Sequence, residues 1–242
     1  MDKNGVIIQL EKVCFAYHGR NNVIDELDLT FRRGDRLGII APNGSGKTTL
    51  FHIIMGLLKP ISGKIEIFGK PVQKEKDFNS VRRRIGLLFQ DADDQLFSPT
   101  VLEDVAFGPL NMGKSKEEAI SISRRVLDFL DLSGFEERVT FKLSGGEKKF
   151  VSLAAVLAME PEVLLLDEPT AGLDGHARAK LIEVLSGLDL SYIVISHEYD
   201  FITSVAGHIY TIENGKIFLD EELHVHQHEH VHRLGKQPHR HI

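Results

Sequence analysis

Residues 41–49 of this 242-residue chain read APNGSGKTT. They follow RLGII (36–40), a short apolar run typical of a buried strand, and lead into KTTLFHIIMGLL, whose apolar residues have helical spacing. A glycine-rich turn between a strand and a helix is the context of a phosphate-binding loop, because backbone N–H groups and the positive helix N-terminus attract anions. The sequence therefore predicts a nucleotide phosphate site at this turn.

The residue types in the loop have separate uses. Gly44 and Gly46 let the backbone approach the phosphates, Lys47 pairs with the β- and γ-phosphates, and the Thr48 hydroxyl binds Mg²⁺. ATP is therefore the expected substrate and Mg²⁺ the expected cofactor. The predicted ATP ligands of the loop are Asn43, Gly44, Ser45, Gly46, Lys47, Thr48 and Thr49.

The loop departs from the usual G-x-x-x-x-G-K-[ST] pattern at its first position, which is Ala41. A methyl group is the smallest possible change, so we expect the loop to close and to bind ATP in the micromolar range. If the position required a positive φ, alanine would cost on the order of 1 kcal/mol and weaken nucleotide binding.

Composition narrows the class of protein. The hydrophobic fraction of 42% and charged fraction of 26% are ordinary for a globular domain, and the net charge of −6 argues against a general nucleic-acid binder. The single cysteine, Cys14, has no internal disulfide partner and fits a reducing cytosol. The first residues predict no secretory signal, and no apolar stretch reaches the roughly 20 residues of a spanning helix. If membranes are involved, a partner crosses them.

The order of elements indicates an α/β fold. EVLLLDEP (162–169) and SYIVISHE (191–198) read as buried strands with a helical pattern between them, which favours a parallel sheet. Residues 90–158 are mostly helical in pattern. We predict an ATPase domain over residues 1–222, with a helical subdomain at about 90–158, and a disordered tail over 223–242.

Three further polar segments carry candidate chemistry. Asp167 ends a predicted strand, where it can support the Mg²⁺ shell, and Glu168 can orient and polarise the attacking water. His197 follows a neighbouring strand and can contact the γ-phosphate. LSGGE (143–147) precedes a helix and forms a second anion-binding end. Two phosphate-binding surfaces in one chain suggest two chains that share nucleotides.

These motifs, in this order, resemble the ATP-binding cassette (ABC) ATPases over roughly residues 5–220. The resemblance implies a P-loop NTPase (RecA-like) core with an N-terminal antiparallel β subdomain and a helical ABC-specific subdomain. It implies that Tyr17 stacks on adenine, that Gln90 senses Mg²⁺ and γ-phosphate, and that Asp174 communicates across a head-to-tail dimer. In this dimer, expected to be a homodimer, the signature residues of one chain meet the other chain's nucleotide. Those signature residues are Ser144, Gly145 and Gly146.

The segment from Phe89 to Gly113 is similar to the region after the Q-loop in ATPases of energy-coupling-factor importers, with Ala92 where that group has proline. This resemblance implies that residues 91–107 meet a transmembrane coupling subunit, and that a membrane component binds the substrate. The expected location is the cytoplasmic face of the membrane. Cobalt or nickel is the favoured cargo, and a vitamin importer of the same group is the alternative.

Two other functions stay open. A soluble ABC ATPase of DNA repair or translation is disfavoured, because the interval between Lys47 and Ser144 holds no long coiled-coil insertion and the chain carries one cassette. An inactive partner in a mixed dimer is disfavoured because Lys47, Asp167, Glu168 and His197 are all present.

The end of the chain is rich in histidine. Imidazoles at alternate positions suit Ni²⁺, Co²⁺ or Zn²⁺, so the tail is a candidate site that captures or buffers transition metal. The alternative is a solvated tail that binds metal incidentally. The candidate ligands are His224, His226, His228, His230 and His232.

Overall fold

The computed structural model describes residues 5–19, 21–42 and 44–219. The strands are β1 (Val6–Phe15), β2 (Ile24–Arg32), β3 (Arg36–Ile40), β4 (Ser62–Ile67), β5 (Lys70–Pro71), β6 (Ile85–Leu88), β7 (Val163–Asp167), β8 (Ser191–Ser196), β9 (His208–Glu213) and β10 (Lys216–Leu219). The helices are α1 (Lys47–Ile54), α2 (Glu75–Val81), α3 (Val101–Asn111), α4 (Lys116–Phe129), α5 (Gly145–Leu157), α6 (Gly175–Gly187) and α7 (Tyr199–Val205).

The N-terminal strands form an antiparallel sheet with the order β2-β1-β4-β5. The central strand β1 pairs with both neighbours, so that Leu10 lies between Leu29 on β2 and Ile65 on β4. All three side chains are buried, which is what the alternating apolar pattern of these strands requires. The predicted N-terminal antiparallel β region is confirmed.

The second sheet has the order β10-β9-β3-β8-β7-β6. The five strands from β9 to β6 run parallel to their neighbours, and β10 is antiparallel to β9. Every residue of β7 and β8 is buried, which explains why both appear in the sequence as continuous apolar runs. The predicted α/β class is confirmed, and the carboxyl ends of β3, β8, β7 and β6 lie along one edge.

Three longer helices fill the interval between β6 and β7. Each of α3, α4 and α5 begins with a capping box, in which the side chains of the N-cap residue and the third helical residue satisfy each other's backbone N–H groups. In α4 the box is formed by Ser115 and Glu118, a pairing that the three-residue spacing of serine and glutamate predicts. The limits predicted for the helical subdomain and the whole ATPase domain stay predictions.

Gly86 in β6 allows a helix to pack closely against the parallel sheet. A Cβ atom there would lie 2.3 Å from Cγ1 of Val156 on α5, so only glycine lets this helix pack against this strand. The contact sets α5 beside the loop that follows β6. Among the described residues, no helix combines the length and apolar character needed to span a bilayer.

Candidate nucleotide site

The phosphate-binding loop joins the carboxyl end of β3 to the first turn of α1. Gly44 and Gly46 have φ of 82° and 96°, the left-handed region that favours glycine. A Cβ atom on Gly46 would also lie 2.9 Å from Cγ1 and 3.0 Å from the carbonyl oxygen of Val23. Both glycines are therefore required by the turn itself. Asn43 lies outside the described residues.

Ala41, the departure from the loop pattern, fits without backbone strain. Its φ is not positive, and its methyl group is buried, with 3% of the residue exposed. The condition under which alanine would weaken the loop is therefore not met.

Lys47 is buried, with only 7% of the residue exposed, and its ammonium contacts both the loop and the parallel sheet. Nζ donates to the carbonyl oxygens of Ala41 at 2.8 Å and Pro42 at 3.2 Å. It also lies 3.3 Å from Oε1 of Glu168. The P-loop lysine and the candidate catalytic acid therefore form a buried ion pair.

Asp167 at the end of β7 provides oxygen atoms for a cation. The Thr48 hydroxyl donates to its Oδ2 at 2.6 Å, and its Oδ1 is buried and has no hydrogen-bond partner among the described residues. Burial raises the pKa of this carboxyl group, opposed by the Thr48 hydrogen bond. Mg²⁺ prefers hard oxygen ligands such as hydroxyl and carboxylate groups. The Thr48 hydroxyl and the Asp167 carboxylate therefore fit the expected ion.

Glu168 connects the ends of β7 and β8. Its Oε2 lies 2.8 Å from Nδ1 of His197 and accepts from the His197 backbone N–H at 3.3 Å. Its own N–H donates to Ile195 of β8 at 2.9 Å, and its φ of 43° is unusual for a residue with a side chain. The glutamate is 3% exposed. Its two carboxylate oxygens contact Lys47 and His197, and these contacts hold the carboxylate in place.

A cleft of about 770 Å³ brings several predicted residues together. Its wall includes Thr48, Gln90, Asp167 and Gly145, which come from α1, the loop after β6, the end of β7 and the start of α5. The cleft therefore joins the candidate Mg²⁺ ligands to the signature segment. It also contains Lys149, a buried residue that the sequence analysis missed.

A sequence signal for Lys149 was available. The lysine precedes Leu153 and Val156 by four and seven positions, so it lies on the buried stripe of α5. A lysine at such a position indicates a buried polar contact rather than a solvated face.

The signature serine, Ser144, caps α5. Its hydroxyl accepts from Glu147 N–H at 3.3 Å and donates to Glu147 Oε2 at 2.9 Å. Arg138 lies 2.8 Å from the other carboxylate oxygen. The Ser144 hydrogen bonds, followed by the Arg138 charge, lower the pKa of Glu147. Glu147 therefore completes the capping box of α5, which a glutamine could form equally well.

Within the part of the chain that the structure describes, the cleft wall does not include Lys47, Glu168 and His197, nor the predicted residues Tyr17 and Asp174. Tyr17 is 41% exposed, packs edge-on against Phe15 and shares a 3.0 Å hydrogen bond with Thr49 on α1. Asp174 is exposed and caps α6, accepting from Ala177 N–H at 2.8 Å. Their expected roles in adenine stacking and dimer communication stay predictions.

Comparison with known proteins decides the family. The family profile described as ABC transporter matches residues 24–171. This chain belongs to the ABC transporter family. A putative ABC transporter ATP-binding protein of Nitratidesulfovibrio vulgaris is 47% identical over 97% of this chain and 86% of its own length.

Two further ABC proteins indicate a subgroup. The energy-coupling factor transporter ATP-binding protein EcfA1 of Methanospirillum hungatei is 43% identical over 86% of this chain and 76% of its own length. The structure of cbiO1 from Clostridium perfringens, part of the ABC transporter complex cbiONQ, aligns with a TM-score of 0.80 and 34% identity. That alignment covers 89% of this chain and 88% of cbiO1. This chain is therefore the ATP-hydrolysing subunit of a transporter, with the P-loop NTPase fold and energy-coupling-factor relatives.

The candidate transition-metal ligands from His224 to His232 lie outside the described residues. Within residues 5–19, 21–42 and 44–219, no group of three or more His, Cys, Asp or Glu side chains is arranged to hold a metal ion.

The geometry at Ala41 predicts the outcome of restoring glycine. We expect Ala41→Gly to leave the ATP dissociation constant within about twofold, because the alanine is unstrained, and to lower the free energy of unfolding by about 0.4–1 kcal/mol through unfolded-state entropy. Calorimetric ATP titration and urea unfolding measure the two effects. Many-fold tighter ATP binding would contradict the absence of strain.

Burial of Asp167 predicts opposite effects on stability and activity. Because its folded pKa is raised, its ionised form disfavours the folded state at neutral pH, a cost that disappears as pH falls through the folded pKa. We expect Asp167→Asn to raise the thermal unfolding midpoint without Mg²⁺ at pH 7. We also expect Mg²⁺-dependent ATPase activity about a hundredfold lower, because an amide cannot replace the anionic ligand. A lower midpoint would show that the carboxylate stabilises the metal-free fold.

Proposed function

We propose that this ATPase drives a cobalt or nickel importer of the energy-coupling-factor type. The proposal is supported by the subgroup of this chain's relatives and by the complex to which cbiO1 belongs. A vitamin importer of the same group is the second candidate. The ATPase subunits of a metal importer and a vitamin importer would use the same ATP chemistry, so the nucleotide site fits both.

The observation that carries the hydrolytic mechanism is the position of Glu168. One of its carboxylate oxygens lies beside the Lys47 ammonium and the other beside His197. In the proposed reaction Glu168 orients the attacking water and accepts its proton, and His197 holds the carboxylate on the γ-phosphate side. Lys47 exchanges its loop carbonyls for the β- and γ-phosphates. Gln90, which lines the cleft together with Thr48 and Asp167, contacts the γ-phosphate in the same reaction.

Thr48, Asp167 and Gln90 are the residues proposed to hold Mg²⁺. When bound, the ion neutralises charge that develops on the phosphate oxygens. The protein contributes the remaining parts: the loop glycines allow close backbone approach, and the low exposure of Asp167 and Glu168 keeps bulk water from the reacting groups.

Two copies of the chain would complete the sites, since ABC cassettes function as dimers with membrane components. Ser144 and Gly145 are exposed at the N-terminus of α5, where backbone N–H groups and the helix dipole can receive a partner's nucleotide. Gly146 extends this surface, and the exposed Asp174 lies at the next helix start. A head-to-tail homodimer uses each of these residues.

The proposed contact with the membrane subunit lies on the surface of residues 91–107. Phe97 and Phe107 are 67% and 47% exposed, and their rings pack edge-to-face at 4.8 Å. Asp104, which is buried, holds the segment by accepting from the N–H groups of Phe97 and Ser98. An exposed aromatic pair, with Phe97 on a firmly held loop and Phe107 on α3, suits an apolar partner helix. The chain would then lie at the cytoplasmic face of the membrane.

The choice of cobalt or nickel over other cargo also rests on the histidine-rich residues 223–242. Neutral imidazoles are borderline ligands that bind Ni²⁺, Co²⁺ and Zn²⁺ well. We propose that they concentrate the transported metal near the importer. This role is separate from hydrolysis, whose cation requires oxygen ligands.

The Glu168 geometry predicts a separation of binding from turnover. Glu168→Gln keeps the shape of the side chain but removes the proton acceptor, so we expect ATPase activity at least about a hundredfold lower with ATP binding retained. Phosphate release and equilibrium nucleotide binding measure the two properties. Glu183→Gln, an exposed substitution on α6, is the control and should retain activity. Undiminished turnover in Glu168→Gln would remove Glu168 as the base.

The cargo is tested in cells that depend on this transporter. Loss of the chain should lower accumulation of cobalt or nickel, and Glu168→Gln should not restore it. Deletion of residues 223–242 should leave the ATPase rate unchanged while altering metal accumulation. Unchanged metal content with impaired vitamin uptake would favour the second candidate, and unchanged metal content after the deletion alone would show that the tail is passive.

A further inference from the structure

Lys149 is a buried cation that contacts the backbone of the Q-loop, the segment that follows β6 and contains Phe89 and Gln90. It lies on the first turns of α5 and is 4% exposed. Its Nζ donates to the carbonyl oxygen of Gln90 at 2.6 Å and to that of Phe89 at 3.3 Å. Both carbonyls immediately follow β6, which ends at Leu88. The lysine therefore binds the main chain of Gln90, a residue that lines the cleft.

A second polar contact secures the same loop to the same helix. Gln95 accepts from the Phe89 N–H through Oε1 at 3.2 Å, and its amide donates to the Ser152 carbonyl oxygen at 3.0 Å. Ser152 is three residues beyond Lys149 and so lies on the same face of α5. The N–H of Phe89 and the carbonyls of Phe89 and Gln90 are thus all bound by groups carried on, or anchored to, α5.

Packing alone does not require a lysine at this position. An aliphatic side chain would fill the space without the cost of burying an ammonium. Burial lowers the pKa of Lys149, and the charges of Asp91, Asp167 and Glu168 oppose that change. The side-chain amine donates to two main-chain carbonyl oxygens, which argues for a polar task.

From this network we infer that Lys149 is a positioning residue for ATP hydrolysis. It fixes the main chain at Gln90, so that the Gln90 side chain points toward the Mg²⁺ and γ-phosphate region. The inference rests on the role proposed for Gln90. It adds a new role for α5, the helix that begins at the signature residue Ser144. This helix holds the Q-loop of the same chain in place.

The physical basis is the rigidity of α5. Lys149 is five residues from Ser144, about 7.5 Å along one helix axis. A helix of this length moves as a unit, so a displacement at the signature end shifts the Q-loop through the lysine and Gln95. Gly86, which allows α5 to approach β6, keeps this linkage short.

A double-mutant cycle tests the inference on the full-length chain. We expect Lys149→Met, which keeps the aliphatic stem and removes the donors, to lower kcat about tenfold and to change KM for ATP by less than about twofold. Gln90→Ala should lower kcat by a similar factor. Because the lysine acts through Gln90, the double variant should match Gln90→Ala within about twofold. A purely structural loss would instead multiply, to about a hundredfold.

The outcomes separate this inference from the proposed site. Full kcat in Lys149→Met with reduced kcat in Gln90→Ala overturns the role of Lys149 alone, and so do independent, multiplying losses. Full kcat in Gln90→Ala overturns the role of Gln90 and with it the inference.

Folding is monitored by circular dichroism and thermal unfolding of every variant. If Lys149→Met does not fold, the same cycle is measured with Lys149→Gln, a smaller and neutral hydrogen-bonding residue. Lys180→Met is the matched control, because the Lys180 ammonium also lies against α5, over the Phe150 ring, but pairs with Asp131. It should keep kcat within about twofold in both the native and the Gln90→Ala backgrounds.

Discussion

The parallel direction of four buried strands controls the chemistry of this protein. β3, β8, β7 and β6 are adjacent in the sheet, and each runs the same way as its neighbour. The loops that follow them therefore meet at one edge. Four groups that are far apart in the sequence come together at this edge: the phosphate loop, His197, the acids at the end of β7, and Gln90. Had one strand run antiparallel, its functional residue would lie at the opposite edge.

Buried charge is the second feature of this edge. Lys47 and Lys149 are buried beside Asp167 and Glu168, although the desolvation of such groups opposes folding. Each cation has carbonyl partners, whereas one oxygen of Asp167 has no hydrogen bond to the part of the chain that the structure describes. The apolar strands of the sheet supply the stability that permits this arrangement. This Asp167 oxygen is available to bind a cation such as Mg²⁺.

Much of the fold could be predicted from local patterns. The strand at 36–40, the buried runs at 163–167 and 191–196, and the Ser115 capping box all depend on residues close together in sequence. β6 was not predicted, because its four residues are too few for a periodic pattern. The contact between Lys149 and Gln90 was not predicted either, because these residues are 59 positions apart and one partner is a main-chain carbonyl. The pattern of side chains in a sequence does not indicate which main-chain oxygen a buried lysine will contact.

Residue types and their order were enough to indicate a P-loop ATPase of the ABC family, because phosphate binding requires glycines, a lysine and a hydroxyl within one turn. Tertiary structure decided the interactions between distant segments. Thr48 meets Asp167 across 119 residues, Lys47 pairs with Glu168, and Ala41 proves to be unstrained. Distances and backbone angles of this kind follow from sheet order and helix packing, which arise only when the whole chain buries its apolar surface.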